Sequence, residues 1–64
     1  MIYSFYRRDG ADRVHLIENQ TCKDDTEAIA RGYELCKASD IEVRLYGRSV
    51  RRIKKGSKQP ATLT

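Results

Sequence analysis

Histidine occurs once in this chain of 64 residues, proline once and cysteine twice. Each shortage removes a class of chemistry. A metal site needs about four ligands at suitable spacing, and one imidazole with two distant thiols does not supply them. His15 can face Ser4 across a hairpin, but that pair has no orienting acid and no oxyanion donors, so it is not a triad. Gly10, Gly32, Gly47 and Gly56 fall at no spacing that cradles a phosphate. Asp24 and Asp25 are paired carboxylates, and helix capping accounts for both. No apolar run approaches the ~20 residues of a membrane span. Met1 leads straight into a strand-like segment, without the basic start and apolar stretch of a secretory leader. A two-layer domain of this length has little room for a pocket of about 300 Å³ or more. The expectation is a non-enzymatic, cytoplasmic protein with no metal, cofactor or membrane partner.

Cys22 and Cys36 flank the best helical segment. At 1.5 Å per residue a helix between them holds them roughly 20 Å apart, beyond disulfide reach. Two reduced thiols are expected, one of them in the core.

The remaining absence concerns charge. Residues 43–64 contain no aspartate or glutamate, while Arg44, Arg48, Arg51, Arg52, Lys54, Lys55 and Lys58 give that stretch +7. Residues 1–42 carry −3, and the whole chain carries +4. So lopsided a distribution favours polyanionic partners and says little about fold.

What is present is patterned apolar sequence. Ile2-Tyr3-Ser4-Phe5-Tyr6-Arg7 reads as an aromatic strand, and Arg13-Val14-His15-Leu16-Ile17-Glu18 as its return. Asp9-Gly10 between them is a strong signal for a two-residue hairpin turn. That turn puts Phe5 opposite Val14 and Tyr3 opposite Leu16, four large apolar groups on one face. Asp24 can cap a helix with Glu27 three residues on. Ala28, Ile29, Gly32, Tyr33, Leu35 and Cys36 then fall in an arc of about 160°. Glu27 and Arg31 stand opposite, in the favourable order for an i,i+4 pair. Gly32 costs about 1 kcal/mol against Ala in mid-helix, which is explicable if the helix sits close to a sheet.

Ile41-Glu42-Val43-Arg44-Leu45-Tyr46 and Ser49-Val50-Arg51-Arg52-Ile53-Lys54 make a second hairpin. Gly47-Arg48 suits a type II′ turn, which pairs Leu45 with Val50 and Arg44 with Arg51. Ile53 then falls out of phase, opposite Glu42. Either the last strand bulges near Arg52 or its pairing ends there. Residues 56–64 are polar and turn-rich, and disorder is expected.

The sequence thus predicts an α+β fold in ββαββ order. One amphipathic helix packs on one face of a four-stranded antiparallel sheet built from two hairpins, within a single domain at 1–55. The expected core is Tyr3, Phe5, Val14, Leu16, Ala28, Ile29, Tyr33, Cys36, Ile41, Val43, Leu45 and Val50.

One helix leaves the other sheet face uncovered. The predicted registers put Ile2, Tyr6, Arg13, His15, Ile17, Arg44, Tyr46, Arg51 and Ile53 there. Cations for phosphates and aromatic rings under bases are how sheet surfaces bind single-stranded nucleic acid. The candidate site is therefore Arg44, Tyr46, Arg48, Arg51, Arg52, Lys54 and Lys55, with Tyr6 in support. The chain has no RNP1-like stretch, so the RNA-recognition-motif family is not indicated. Two other readings stand beside this one. Apolar residues on the same face suit a homodimer or an acidic protein partner. A plain solvated face, its arginines neutralised by Glu18 or Glu42, requires no partner.

Asp24-Asp25-Thr26-Glu27-Ala28-Ile29-Ala30, Ser39-Asp40-Ile41-Glu42-Val43 and Gly47-Arg48-Ser49-Val50 follow an opening with Tyr3, Phe5, Asp9 and Gly10. Over roughly residues 1–54 this resembles a recurring pattern in small bacterial proteins built on a domain of unknown function. The resemblance implies a bacterial origin and a small stand-alone domain, and it carries over no catalytic residue.

Overall fold

A computed structural model describes residues 1–11 and 13–60. Asp12 lies outside the described residues, as do residues 61–64, the end of the segment expected to be disordered. The elements are β1 (Ile2–Arg8), β2 (Val14–Thr21), α1 (Asp25–Leu35), β3 (Asp40–Leu45) and β4 (Arg48–Ile53). All strand pairs are antiparallel, in the order β2-β1-β3-β4. The predicted ββαββ, α+β architecture is what the chain adopts, and the hairpins join through their first strands.

α1 begins where its capping residues place it. The Asp24 carboxylate accepts the Glu27 amide at 3.0 Å, satisfying one of the helix's unpaired amides. Glu27 reaches back to the Lys23 amide at 3.3 Å, one residue before the cap. Arg31 does not pair with Glu27. It forms two bonds, of 2.9 and 3.0 Å, to Glu18 on β2. Gly32 is needed for close approach, as expected. A Cβ there would lie 2.7 Å from Ile53 Cδ1 and 2.9 Å from Val43 Cγ2.

Both predicted turns are corrected. The first hairpin closes at Arg8–Val14, around the longer loop 9–13. Asp9 builds that loop with its side chain, accepting the amides of Ala11 at 2.9 Å and Arg13 at 3.1 Å. Asp at a turn commonly binds backbone in this way. As far as the register shift at Ile17 the pairing slips by an odd number of residues, which reverses the faces of Val14, His15 and Leu16. Val14 and Leu16 oppose Arg8 and Tyr6 instead of Phe5 and Tyr3. They leave the predicted core and are 42% and 53% exposed. His15 opposes Arg7, while Ser4 bonds Asn19 at 2.7 Å, so the Ser4–His15 pair does not form.

In the second hairpin the central turn residues are Tyr46 and Gly47, not Gly47 and Arg48. Both have positive φ, 50° and 82°, the conformation whose twist matches antiparallel strands. Arg44 therefore faces Ser49, and Arg51 faces Val43. The register shift between Val43 and Arg44 leaves Val50 as the extra residue of a bulge, earlier than Arg52. That bulge restores the phase of Ile53, which pairs with Ile41 and enters the core at 3% exposure.

The core comprises Tyr3, Phe5, Cys22, Ala28, Cys36, Ile41, Val43, Leu45 and Ile53, with Tyr33, Leu35 and Val50 partly buried against it. Ile29 is only partly buried. Cys22 and Cys36 are free thiols and both are buried, where one had been expected. The Tyr3 hydroxyl donates to Asp25 at 2.6 Å, tying β1 to the helix start. That bond, with burial, pushes its pKa up to about 12. After β4 the Gly56 amide donates to the Cys36 carbonyl at 2.8 Å, and Ser57 to Lys54 at 3.0 Å.

Candidate nucleic-acid interface

Cross-strand partners share a sheet face, so the registers define the uncovered surface row by row. One row runs Leu16, Tyr6, Glu42, Arg52 across the four strands. The next runs Asn19, Ser4, Arg44, Ser49. Val14 and Arg8 continue the surface toward the hairpin loop.

At its centre is a residue that the sequence analysis treated only as a neutraliser. Glu42 is 0% exposed and is the one buried charged residue among the described residues. Arg8 Nη1 donates to its Oε1 at 3.0 Å, and Arg44 Nε to its Oε2 at 3.0 Å. Arg52 Nε stands 3.9 Å from Oε1. Burial pushes the Glu42 pKa up. Hydrogen bonds from Arg44, Arg8 and Ser49 outweigh it and hold the carboxyl below its usual range. The Arg44 guanidinium carbon also lies over the Tyr6 ring, 5.5 Å from its centroid, within cation–π range.

The seven predicted site residues do not form one patch. Arg44 and Arg52 come together on the open face. Arg51 and Arg48 pair with Val43 and Leu45, residues of the helix side, and are exposed along the β4 edge. Tyr46 is in the turn, 83% exposed, and not among the arginines. Lys54 and Lys55 follow β4, exposed, with the Lys55 amide bonded to Asp40 at 2.8 Å. Tyr6 lies on the face as expected. Arg13, His15, Arg51, Tyr46 and Ile53 do not join the face rows. Arg8 and Glu42 join it unforeseen. The two-residue turn had assigned Arg8 to a loop, and only the true register brings it to Glu42.

Beside the cations lie exposed apolar residues of β2, with Ile2 apart from them beyond the Ser4–Asn19 row. Ile2, Val14, Leu16 and Ile17 are each between 42% and 55% exposed. Ile17 is the extra residue where the β1–β2 register shifts. On the opposite side, His15 approaches Asp9 at 3.5 Å.

The surface also carries clefts larger than the expected limit. One, of about 420 Å³, lies between Tyr33, Lys37 and the segment at Ser57. Another, of about 400 Å³, lies between Asp9, Ser39, Asp40 and Lys55. The two carboxylates of the second already accept backbone amides. Among the described residues no group of three His, Cys, Asp or Glu side chains could hold a metal ion. No helix among them is long and apolar enough to cross a membrane.

Comparison with protein-family models, curated proteins and solved structures gives no significant match.

Proposed function

We propose that this chain is a non-enzymatic domain that binds single-stranded nucleic acid on its uncovered sheet face, in a bacterial cytoplasm. The observation that carries the reading is Arg44, placed over the Tyr6 ring and anchored by Glu42 beside Arg8 and Arg52. Cations for the backbone and a planar group for a base thus lie side by side. Lys54, Lys55, Arg48 and Arg51 add positive potential around it, which steers a polyanion without choosing its sequence.

The test is binding of a short labelled oligonucleotide over a range of salt. Three phosphate contacts give a log–log salt slope of about −2. Arg52→Glu and Arg51→Glu change net charge equally, yet only Arg52 belongs to the face. Arg52→Glu is expected to weaken binding at least fivefold more than Arg51→Glu. Equal losses from the two would reduce the interaction to bulk charge, and no binding by the wild type at physiological salt would end the proposal.

One observation favours a second reading, a homodimer or protein-docking face. The stretch of Val14, Leu16 and Ile17 on β2 is exposed and apolar. It offers at most a few hundred Å², whereas a stable interface takes about 800 Å² from each partner. A dimer would have to enlist the arginines as well, setting like charges against each other. The stretch fits the few bases of a short strand better than it fits a second protein.

A further inference from the structure

Sealing a carboxylate into a sheet is costly, and an apolar side chain of similar size would serve stability as well. Glu42 does something an apolar residue cannot. It gathers Arg8, Arg44 and Arg52, and Arg44 with Arg52 alone outnumber the one anion. Arg44 is held by Nε on Glu42 and lies over the Tyr6 ring within cation–π range. A guanidinium has five N–H donors, and Glu42 engages Arg44 through Nε only. Arg52 is 65% exposed, at the rim of the same cluster. Planar donors held in place match the oxygens of a phosphate, and little side-chain freedom remains to be lost on binding.

We propose that Arg44, held with Arg8 by hydrogen bonds to Glu42, and Arg52 at the rim of the same cluster form a phosphate-binding site in which Glu42 is the positioning residue. The source of the phosphate, a nucleic-acid backbone, rests on the reading above. The site itself is defined by geometry.

Charge alone and positioning make opposite forecasts for Glu42→Gln. That substitution raises the net charge by one, so simple electrostatics tightens phosphate binding. A positioned site loosens instead, because the arginines lose their anchor. The experiment follows the Arg Nε–H resonances of the full chain during titration with inorganic phosphate, and separately with a short oligothymidylate. In the wild type both probes are expected to shift Arg44 and Arg52. In Glu42→Gln the apparent phosphate affinity is expected to fall at least fivefold. Equal or tighter binding by that variant overturns the proposal. Arg52→Lys guards against an unfolded variant, since it conserves charge at an exposed position. It too should lose several-fold, and undiminished binding overturns the proposal. Phosphate that shifts neither arginine has the same consequence. Phosphate binding without oligonucleotide binding leaves the site standing and removes the nucleic-acid reading. Oligonucleotide binding that leaves Arg44 and Arg52 unmoved keeps that reading and removes the site.

Discussion

The two hairpins are alike in sequence and unlike in fate. In β3–β4, Ile41, Val43, Leu45 and Ile53 are buried beneath α1. In β2, no residue is fully buried. The cause is width. A helix with its side chains is about 10–12 Å across, while strands spaced ~4.8 Å apart make a four-stranded sheet wider than that. α1 must choose, and Gly32 lets it settle against Val43 and Ile53. β2 is left tied to the helix through Glu18 and Arg31. Cohesion is thus concentrated in β1, β3 and β4, where Tyr3 and Phe5 join the core, and free surface in β2.

Truncating matched side chains is the strongest way to break this contrast. Ile53→Ala removes core atoms beneath the helix and should cost about 2–5 kcal/mol. A domain of this size has only about 3–10 kcal/mol in total, so the variant should be largely unfolded by modest urea. Ile17→Ala, the same change in β2, should cost less than about 1 kcal/mol, since half-exposed surface contributes little. Equal urea midpoints would show that β2 is covered in solution.

Next in size is Glu42, on the face that α1 does not touch. Its replacement by Ala should cost about 1–3 kcal/mol, the loss of charge-assisted bonds from a buried acceptor. The same pairing makes stability depend on pH. Burial raises the Glu42 pKa, but Arg44, Arg8 and Ser49 bring it net below the ordinary 4.5. Glu18 is likewise lowered, chiefly by its bonds from Arg31. For a carboxylate depressed on folding, the unfolded chain binds more protons. Its stabilisation is complete above about pH 4.5 and is lost as pH falls through the folded value. Urea midpoints should hold from pH 7 to 5 and decline below 4.5, with a shallower decline in Glu42→Gln. A midpoint independent of pH down to 3 would contradict the ion-pair geometry.

Gly32→Ala gives a smaller effect of instructive sign. Alanine gains about 1 kcal/mol of helix propensity. Its Cβ would meet Ile53 Cδ1 at 2.7 Å and Val43 Cγ2 at 2.9 Å, and overpacking costs about 1–3 kcal/mol. A net loss near 1 kcal/mol is expected by thermal or urea unfolding. A gain would mean that α1 rides higher on the sheet.

Element order, the helix start with its Asp24 cap and the meaning of Gly32 are legible in the sequence because each depends on local periodicity or a single residue. Register is not. Asp9 looks the same in sequence whether its side chain binds two amides or its backbone makes a tight turn. Tyr46 at positive φ is a choice that few non-glycine residues make, so the second turn was placed one residue late. Each hairpin contains a bulge, and a bulge shifts phase without a composition signal. The candidate site inherited these errors. Arg44 and Tyr6 were found because their strands alternate cleanly. The bulge puts Arg52 on the face in place of Arg51, and the role of Glu42 is hidden because Arg8 and Arg52 reach it only through the true registers of its two neighbouring strands.

The smallest expected effect is the sharpest test of what β2 is for. Leu16→Thr replaces an exposed aliphatic residue with another good strand former, so the monomer's stability should change by no more than about 0.5 kcal/mol. Sedimentation should give one mass from dilute to concentrated solution, for the variant and the wild type alike. A second copy seated on Val14, Leu16 and Ile17 would change both results together. Wild-type stability would rise with protein concentration by mass action, and Leu16→Thr would abolish the rise. A silent Leu16→Thr that nevertheless weakens oligonucleotide binding would instead assign the apolar stretch to bases, joining β2 to the arginines as one surface.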